Sequence, residues 1–448
     1  MRPPIVHIVH HVDTEGPLCE PLSELFDRIE KTLHLPVGLV PTRENLRLLQ
    51  SPAYVFRDPP TDALLKKIIA PHLLQFKTSW CEVEEMLDRI LSPEYRGRFQ
   101  DSFGGAWIYN WHALDHVGFD ANPRRRSMGY LNVFNFYQDK LRATRSTQDL
   151  LQWHFHPVPF NRAAHISATS YLNSYHELSQ VMSRRLLDAN WFPVVNRAGF
   201  HTVRPDSNWW LEQWLPFDAS SQAMETEGEA YADNVNGRFG DWRGAPHDWS
   251  LYHPDLYDWR KPGVLKRTIA RCLNMNTRFR NITETEFEKA FCLAHSSGKD
   301  VYVGFTNHDF REMSVEMEMV YAQLQRAAAK FPDIPFKFNN SIAAFQACLG
   351  YAPEKVSGDA LDFCLERNGP TLEVRVLRGA LFGPQPFLAM KTRTGGYHTD
   401  NFDFGPPGSS AHYYTLDALT FEPEQLSEVA VAANDRYGNT CIRRLRLA

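Results

Sequence analysis

The chain opens on an apolar run, Ile5-Val6-His7-Ile8-Val9, rich in β-branched residues and followed by the Gly16-Pro17 pair. That pattern predicts a buried first strand. Segments 21–50 and 61–92 then change to a helical period, as in "SWCEVEEMLDRIL", with Pro and Asp near their starts. From residue 150 strands and helices alternate. Residues 150–158 ("LLQWHFHPV") read as a strand, 168–189 as a helix, 192–200 ("FPVVNRAGF") as a strand, 206–215 as a helix capped by Asp206, and 216–222 as a short strand. A helix at 283–298, opened by a "TETE" capping box, a strand at 300–310 and a helix at 315–331 follow, and 334–350 closes the series. Such alternation builds a mostly parallel sheet, open or closed into a barrel.

The pattern changes after Gly350. Short alternating runs such as "TLEVRVLRG" and "SEVAVAAND", separated by Gly, Pro and Asn-Asp clusters and free of helical period, predict a β-sandwich. The expected architecture is therefore α/β: a (β/α) barrel over 1–350, a linker at 351–358 and a small all-β sandwich over 359–448. A long helical and aromatic insertion is expected at about 40–145. Its stretch 97–130, rich in aromatics, glycine and arginine, is expected to cover the mouth of the barrel, since long connections at that face often carry function.

Composition narrows the function. A chain of 448 residues exceeds one ordinary core, and a net charge of −5 leaves no basic excess for nucleic acid. No apolar stretch approaches the ~20 residues of a membrane span, and the N-terminus lacks a basic-then-apolar signal, so a cytoplasmic location without a membrane partner is expected. Seven cysteines with no CxxC pair predict reduced thiols, neither a disulfide framework nor a thiolate zinc site.

Within this frame a few residues stand out. Asp13 and Glu15 project to one side of the first strand at its carboxyl end, where α/β sheets bind ligands. Two acids there are expensive to bury without a metal, a base partner or a substrate proton; a solvated turn is the plain alternative. His154 and His156 lie two apart on a strand and share a face, as two imidazole ligands to one metal must. With one carboxylate they form a two-histidine, one-acid set that leaves positions open for water and substrate, a catalytic arrangement rather than a structural one. Arg197, at a strand end, can hold a carboxylate through two hydrogen bonds or form a surface ion pair. His308 shares an inward parity with Thr306 and suits general acid work, unless it only caps a turn. Trp107 and Trp209 are candidate sugar-stacking surfaces or ordinary core. The triplet Arg124, Arg125 and Arg126 is a candidate partner for a phosphate on a nucleotide-linked or lipid-linked sugar, with Arg125 foremost, or part of a solvated loop.

In order along the chain, "VDTEGP", "WHFHP", "NRAGFHTVRPDSNWWLEQWLPFDASSQ", "SLYHPDLYDW" and "VYVGFTNHDF" resemble the polysaccharide deacetylase superfamily (NodB-type, carbohydrate esterase family four) over roughly residues 5–350. The resemblance implies a distorted (β/α) barrel that removes N-acetyl groups from amino sugars with one divalent metal, zinc foremost. It assigns metal binding to His154, His156 and Glu15, and the role of base to Asp13, or the reverse for the two acids. Arg197 would steady the base and His308 would donate a proton. Two positions depart from the family's pattern: Thr14 separates acids that are usually adjacent, and Gln152 stands where the first of two histidines spaced four apart usually falls. The expected function is a metal-dependent carbohydrate de-N-acetylase acting on a precursor of a surface polysaccharide. A glycosidase pairing Asp13 or Glu15 with Asp218 or Asp309, and a metal-free descendant that binds carbohydrate, are the alternatives.

Overall fold

The computed structural model describes residues 2–164, 170–226, 240–406 and 408–447. Its centre is β1 (Val6–Thr14), nine consecutive buried residues. One edge of β1 pairs in parallel with β7 (Val301–His308) along eight positions. The other edge is shared: β8 (Phe336–Phe338) lies beside Val6–Ile8, and β2 (Tyr109–Asp115) beside His10–Thr14. From β2 the ring continues through β3 (Leu150–Phe155), β4 (Val195–Asn196), β5 (Phe217–Ser221) and β6 (Thr268–Asn274) back to β7, every pair parallel, so that seven strands close a barrel.

Strand parity divides the barrel. Val6, Ile8 and Val12 face outward into the main apolar cluster with the surrounding helices, including Glu284–Ser297 and Met313–Ala329. Val9 joins Ala219, Ala270, Cys272 and Tyr302 in an inner cluster, against which the helix Ser341–Cys348 lays Phe345. Above it His11 is hydrogen-bonded to His112 and to the Tyr302 hydroxyl, each at 2.8 Å. Burial pushes His112 down to about 3 and His11 well below the usual imidazole range, so both rings are neutral.

Several sequence expectations need correcting. β2 runs through the stretch assigned to the insertion. Its outward Tyr109 and Trp111 pack under helices while the alternating Asn110 and His112 are equally buried inside the barrel, so the period of two is present but lies in a stretch whose glycines and arginines read as an excursion. β6 ("TIARCLN") shows no such alternation, being buried throughout. The strand expected over 192–200 narrows to Val195–Asn196, and the helix expected over 168–189 is Tyr175–Ala189, with 168 and 169 outside the described residues. The linker contains a short helix, Pro353–Gly358.

The C-terminal unit has two antiparallel four-stranded sheets. β9 (Asp362–Asn368), β10 (Thr371–Arg378), β13 (Asp403–Phe404) and β14 (Ala411–Thr415) form one; β11 (Phe387–Thr392), β12 (Tyr397–Asp400), β15 (Leu426–Asn434) and β16 (Thr440–Arg446) form the other. Phe363, Leu372, Val374, Leu388, Val429 and Val431 fill the space between them. The second sheet is buried on its outer face as well, where Phe387, Ala389, Ala430 and Ala432 pack on Leu178, Met182 and Trp214 of the barrel's helices. Among the described residues no helix is long and apolar enough to cross a membrane.

Candidate metal and active site

The site lies at the carboxyl end of the barrel strands, where β1, β3, β4 and β7 end together. Asp13 is the inward residue nearest the end of β1, aligned with His112 of β2 and His308 of β7. Glu15 follows in a turn held by Asp309. One Asp309 oxygen accepts the Glu15 amide at 2.8 Å, and the other accepts the Gly16 amide at 2.9 Å and the Tyr137 hydroxyl at 2.8 Å. Burial pushes the Asp309 carboxyl up to about 7 despite these donors. Gly16 is obligatory there: its φ is +70°, and a Cβ would come within 2.7 Å of the Trp80 ring.

Arg197, fully buried, grips Asp13 with two hydrogen bonds, Nε to Oδ1 at 2.5 Å and Nη2 to Oδ2 at 3.1 Å, and donates Nη1 to the Ala219 carbonyl at 2.8 Å. Burial alone would raise the Asp13 carboxyl. The charge of Arg197 and its hydrogen bonds override it and hold Asp13 well below the usual carboxylate range. The same "NRAGFH" stretch places Phe200 against the His156 ring, centroids 4.7 Å apart, and His201 Nδ1 3.3 Å from Arg197. Phe200 and His201 both take left-handed backbone conformations, φ 52° and 55°, a strain that keeps these two rings on the site.

β3 contributes the two histidines. His154 Nδ1 lies 2.8 Å from the Arg197 carbonyl, which can only accept, so the proton sits on Nδ1 and Nε2 presents a lone pair. Nε2 of His156 lies 2.9 Å from Nε2 of His154. Glu15 completes the group: Oε1 is 4.0 Å from His154 Nε2 and 3.7 Å from His156 Nε2, while Oε2 is bound by Arg126. These separations bracket the roughly 3.3 Å between ligand atoms of a tetrahedral ion with bonds of about 2.05 Å. Glu15, His154 and His156 thus form a possible metal-binding triad, all three buried. A divalent ion fits this donor set: two imidazoles, one with its tautomer fixed, and one carboxylate oxygen turned toward them. His308, a fifth exposed, lies 3.9 Å from Asp13 Oδ2 and 3.8 Å from Glu15 Oε1. Burial drives it well below the usual imidazole range, so it rests neutral.

A cleft opens over these groups. Asp13, Glu15, His154, His156 and His308 line it, and Arg197 lies beneath as the partner of Asp13. The three expected substrate residues are elsewhere. Trp107 is wholly buried, donating its indole N–H to His10. Trp209 is exposed and bonded to the Leu256 carbonyl, and Arg125 points to solvent. Its neighbours Arg124 and Arg126, candidates from the same triplet, reach the cleft, as do His201, Phe200 and Arg311, three residues not singled out from sequence. The position of His201, four residues after Arg197 in a constrained turn, was the available signal. Gln152, in place of a histidine, accepts the Val194 and Val195 amides and so anchors the start of β4. The stretch 97–130 divides: its end, after β2, reaches the cleft, while Asp101 and Ser102 bind the backbone of Phe338 and Phe336 in β8, beside the start of β1. Neither Asp218, facing Arg267 at 3.4 Å, nor Asp309 lines the cleft.

Comparisons with protein-family models, with curated proteins and with solved structures gave no match.

Proposed function

We propose that the protein is a metal-dependent hydrolase of the polysaccharide deacetylase type, removing an N-acetyl group from an amino sugar. One observation carries this reading: the Glu15, His154 and His156 donor set lies in one cleft with an arginine-clamped Asp13 and with His308. A divalent ion bound there supplies Lewis-acid polarisation of an amide carbonyl and acidifies water. Arg197 keeps Asp13 ionised and fixes its plane, so that the carboxylate is ready to accept a proton from an attacking water. His308, neutral at rest and 3.9 Å from Asp13, passes that proton to the leaving nitrogen after a sub-ångström approach. The Arg126 contact leaves one Glu15 oxygen for the ion. Only Asp13 and Glu15 among the four acids considered line the cleft, which favours this reading over a glycosidase built on Asp218 or Asp309.

The test is product identity with metal content. Purified protein loaded with zinc is expected to release acetate and free amine in equal amounts from N-acetylated glucosamine oligomers or their precursors. His154→Ala and His156→Ala are each expected to lose metal by elemental analysis while keeping the circular dichroism of the parent. Reducing sugar without acetate would replace this reading by glycoside hydrolysis, and full metal content in either variant would remove that residue from the set.

A further inference from the structure

Five arginines line the cleft. Arg28 comes from the helix Leu22–Leu33, Arg124 and Arg126 follow β2, Arg278 follows β6 and Arg311 follows β7, so the cations arrive on four separate connections. Among the described residues three acids, Glu15, Glu20 and Glu316, pair with four of them, Glu15 with Arg126. Glu20 is held by Arg28 through two hydrogen bonds, 2.8 and 2.9 Å, and the same acid is the ion-pair partner of Arg124 at 3.3 Å. Glu316 lies 3.4 Å from Arg311, whose Nη2 is buried without a hydrogen bond among the described residues. Burial, only partly offset by Glu20 and reinforced by the like charges of Arg126 and Arg28, lowers Arg124 to about 9, far below an ordinary guanidinium.

The two arginines are joined by aromatic rings. Arg124 lies over Phe76 at 5.5 Å and Arg311 over Phe310 at 5.7 Å, and the two rings meet edge to face at 5.9 Å. Phe310 is itself 4.7 Å from the His308 ring. A continuous wall therefore runs from the reacting groups outward, ending in guanidinium groups oriented by stacking. Planar forks held this way match the paired oxygens of a phosphate or carboxylate, and a bound anion would relieve the desolvated charge that the fold leaves there.

We propose that the substrate carries an anionic group, a phosphate or a carboxylate, and that Arg124 and Arg311 bind it at the mouth of the cleft while the N-acetyl group lies over Glu15, His154 and His156. The anion site stands on its own geometry; its link to an amino sugar rests on the deacetylase reading above.

Two measurements separate the two. First, inorganic phosphate is titrated calorimetrically into metal-stripped protein, so that the metal centre does not contribute. Binding is expected, weakened at least tenfold in Arg124→Gln with Arg311→Gln and largely restored by Arg124→Lys with Arg311→Lys, with far-ultraviolet circular dichroism reporting the fold. Second, acetate release by zinc-loaded protein is compared on N-acetylglucosamine, N-acetylglucosamine 1-phosphate and N-acetylmuramic acid. At least one charged sugar is expected to show a tenfold or greater advantage in kcat/KM over the neutral one, and the ratio should collapse in the double glutamine variant; which one does so tells phosphate from carboxylate. Arginine-dependent phosphate binding without acetate from any sugar would keep the anion site and end the deacetylase reading. Equal rates on charged and neutral sugars, or phosphate binding that ignores both arginines, would overturn the anion site.

Discussion

At the scale of single residues, the site is a set of charges made compatible by hydrogen bonds. A buried Asp13 persists as a carboxylate because Arg197 meets both of its oxygens, and Arg197 is itself held by the Ala219 carbonyl. His308 sits differently. It is a fifth exposed, it faces both acids at about 4 Å, and the described contacts give it no hydrogen bond through Nδ1. On the deacetylase reading, a group placed so loosely contributes little to the fold and serves to move a proton. His308→Ala is expected to keep the metal and most of the substrate affinity while turnover of the N-acetyl amide falls by the ~10²–10⁴-fold typical of a lost general acid. The loss should be smaller on an activated aryl acetate, whose leaving group needs no proton. Equal losses on both substrates would make His308 a structural residue.

At the scale of elements, β3 and the turn after β4 position the donors. Two-residue periodicity puts His154 and His156 on one side, and the turn that follows Arg197 must then pass very close to them. Gly199 makes this possible: a Cβ at that position would stand 2.5 Å from the His156 ring and 2.7 Å from the Phe155 carbonyl. Gly199→Ala is expected to push the ring off its place and lower zinc affinity by ~10–100-fold, the range seen when groups supporting a ligand are disturbed. Competition with a chelating indicator measures this, and unchanged affinity would show that the turn yields without moving the ligand.

At the scale of the whole molecule, the barrel and the sandwich share a core. Phe387 of β11 packs on Phe192 and Trp214, Asn434 donates to the carbonyls of Pro193 and Trp214, and the Tyr397 hydroxyl bonds Asp188 on the helix Tyr175–Ala189. That helix is also the outer cover of β3, so the sandwich braces the strand carrying the histidines. Phe387→Ala should cost ~3–5 kcal/mol and lower the unfolding temperature of both units together in a calorimetric scan. Two separated transitions in the parent protein would show that the units are not coupled in this way.

Local periodicity in the sequence was enough to place β1, β3 and β7, to put Asp13 with Glu15 and His154 with His156 on common faces, and to separate an alternating α/β region from an all-β one. These properties depend on neighbours a few positions apart, and the strand period of two transmits them directly to three dimensions. Ring closure was decided elsewhere. β6 is buried on both sides and carries no polar alternation, and β2, which does alternate over residues 109–112, lies inside a long connection, so their pairing partners identify them. The same holds for single residues. Arg124 and Arg126 face the cleft while Arg125 faces solvent, and Trp107 fills the core rather than the mouth. A side chain's type states what it can bind. Which of its chemically identical neighbours meets the site is set by where distant strands bring the backbone, and that is a property of the closed barrel alone.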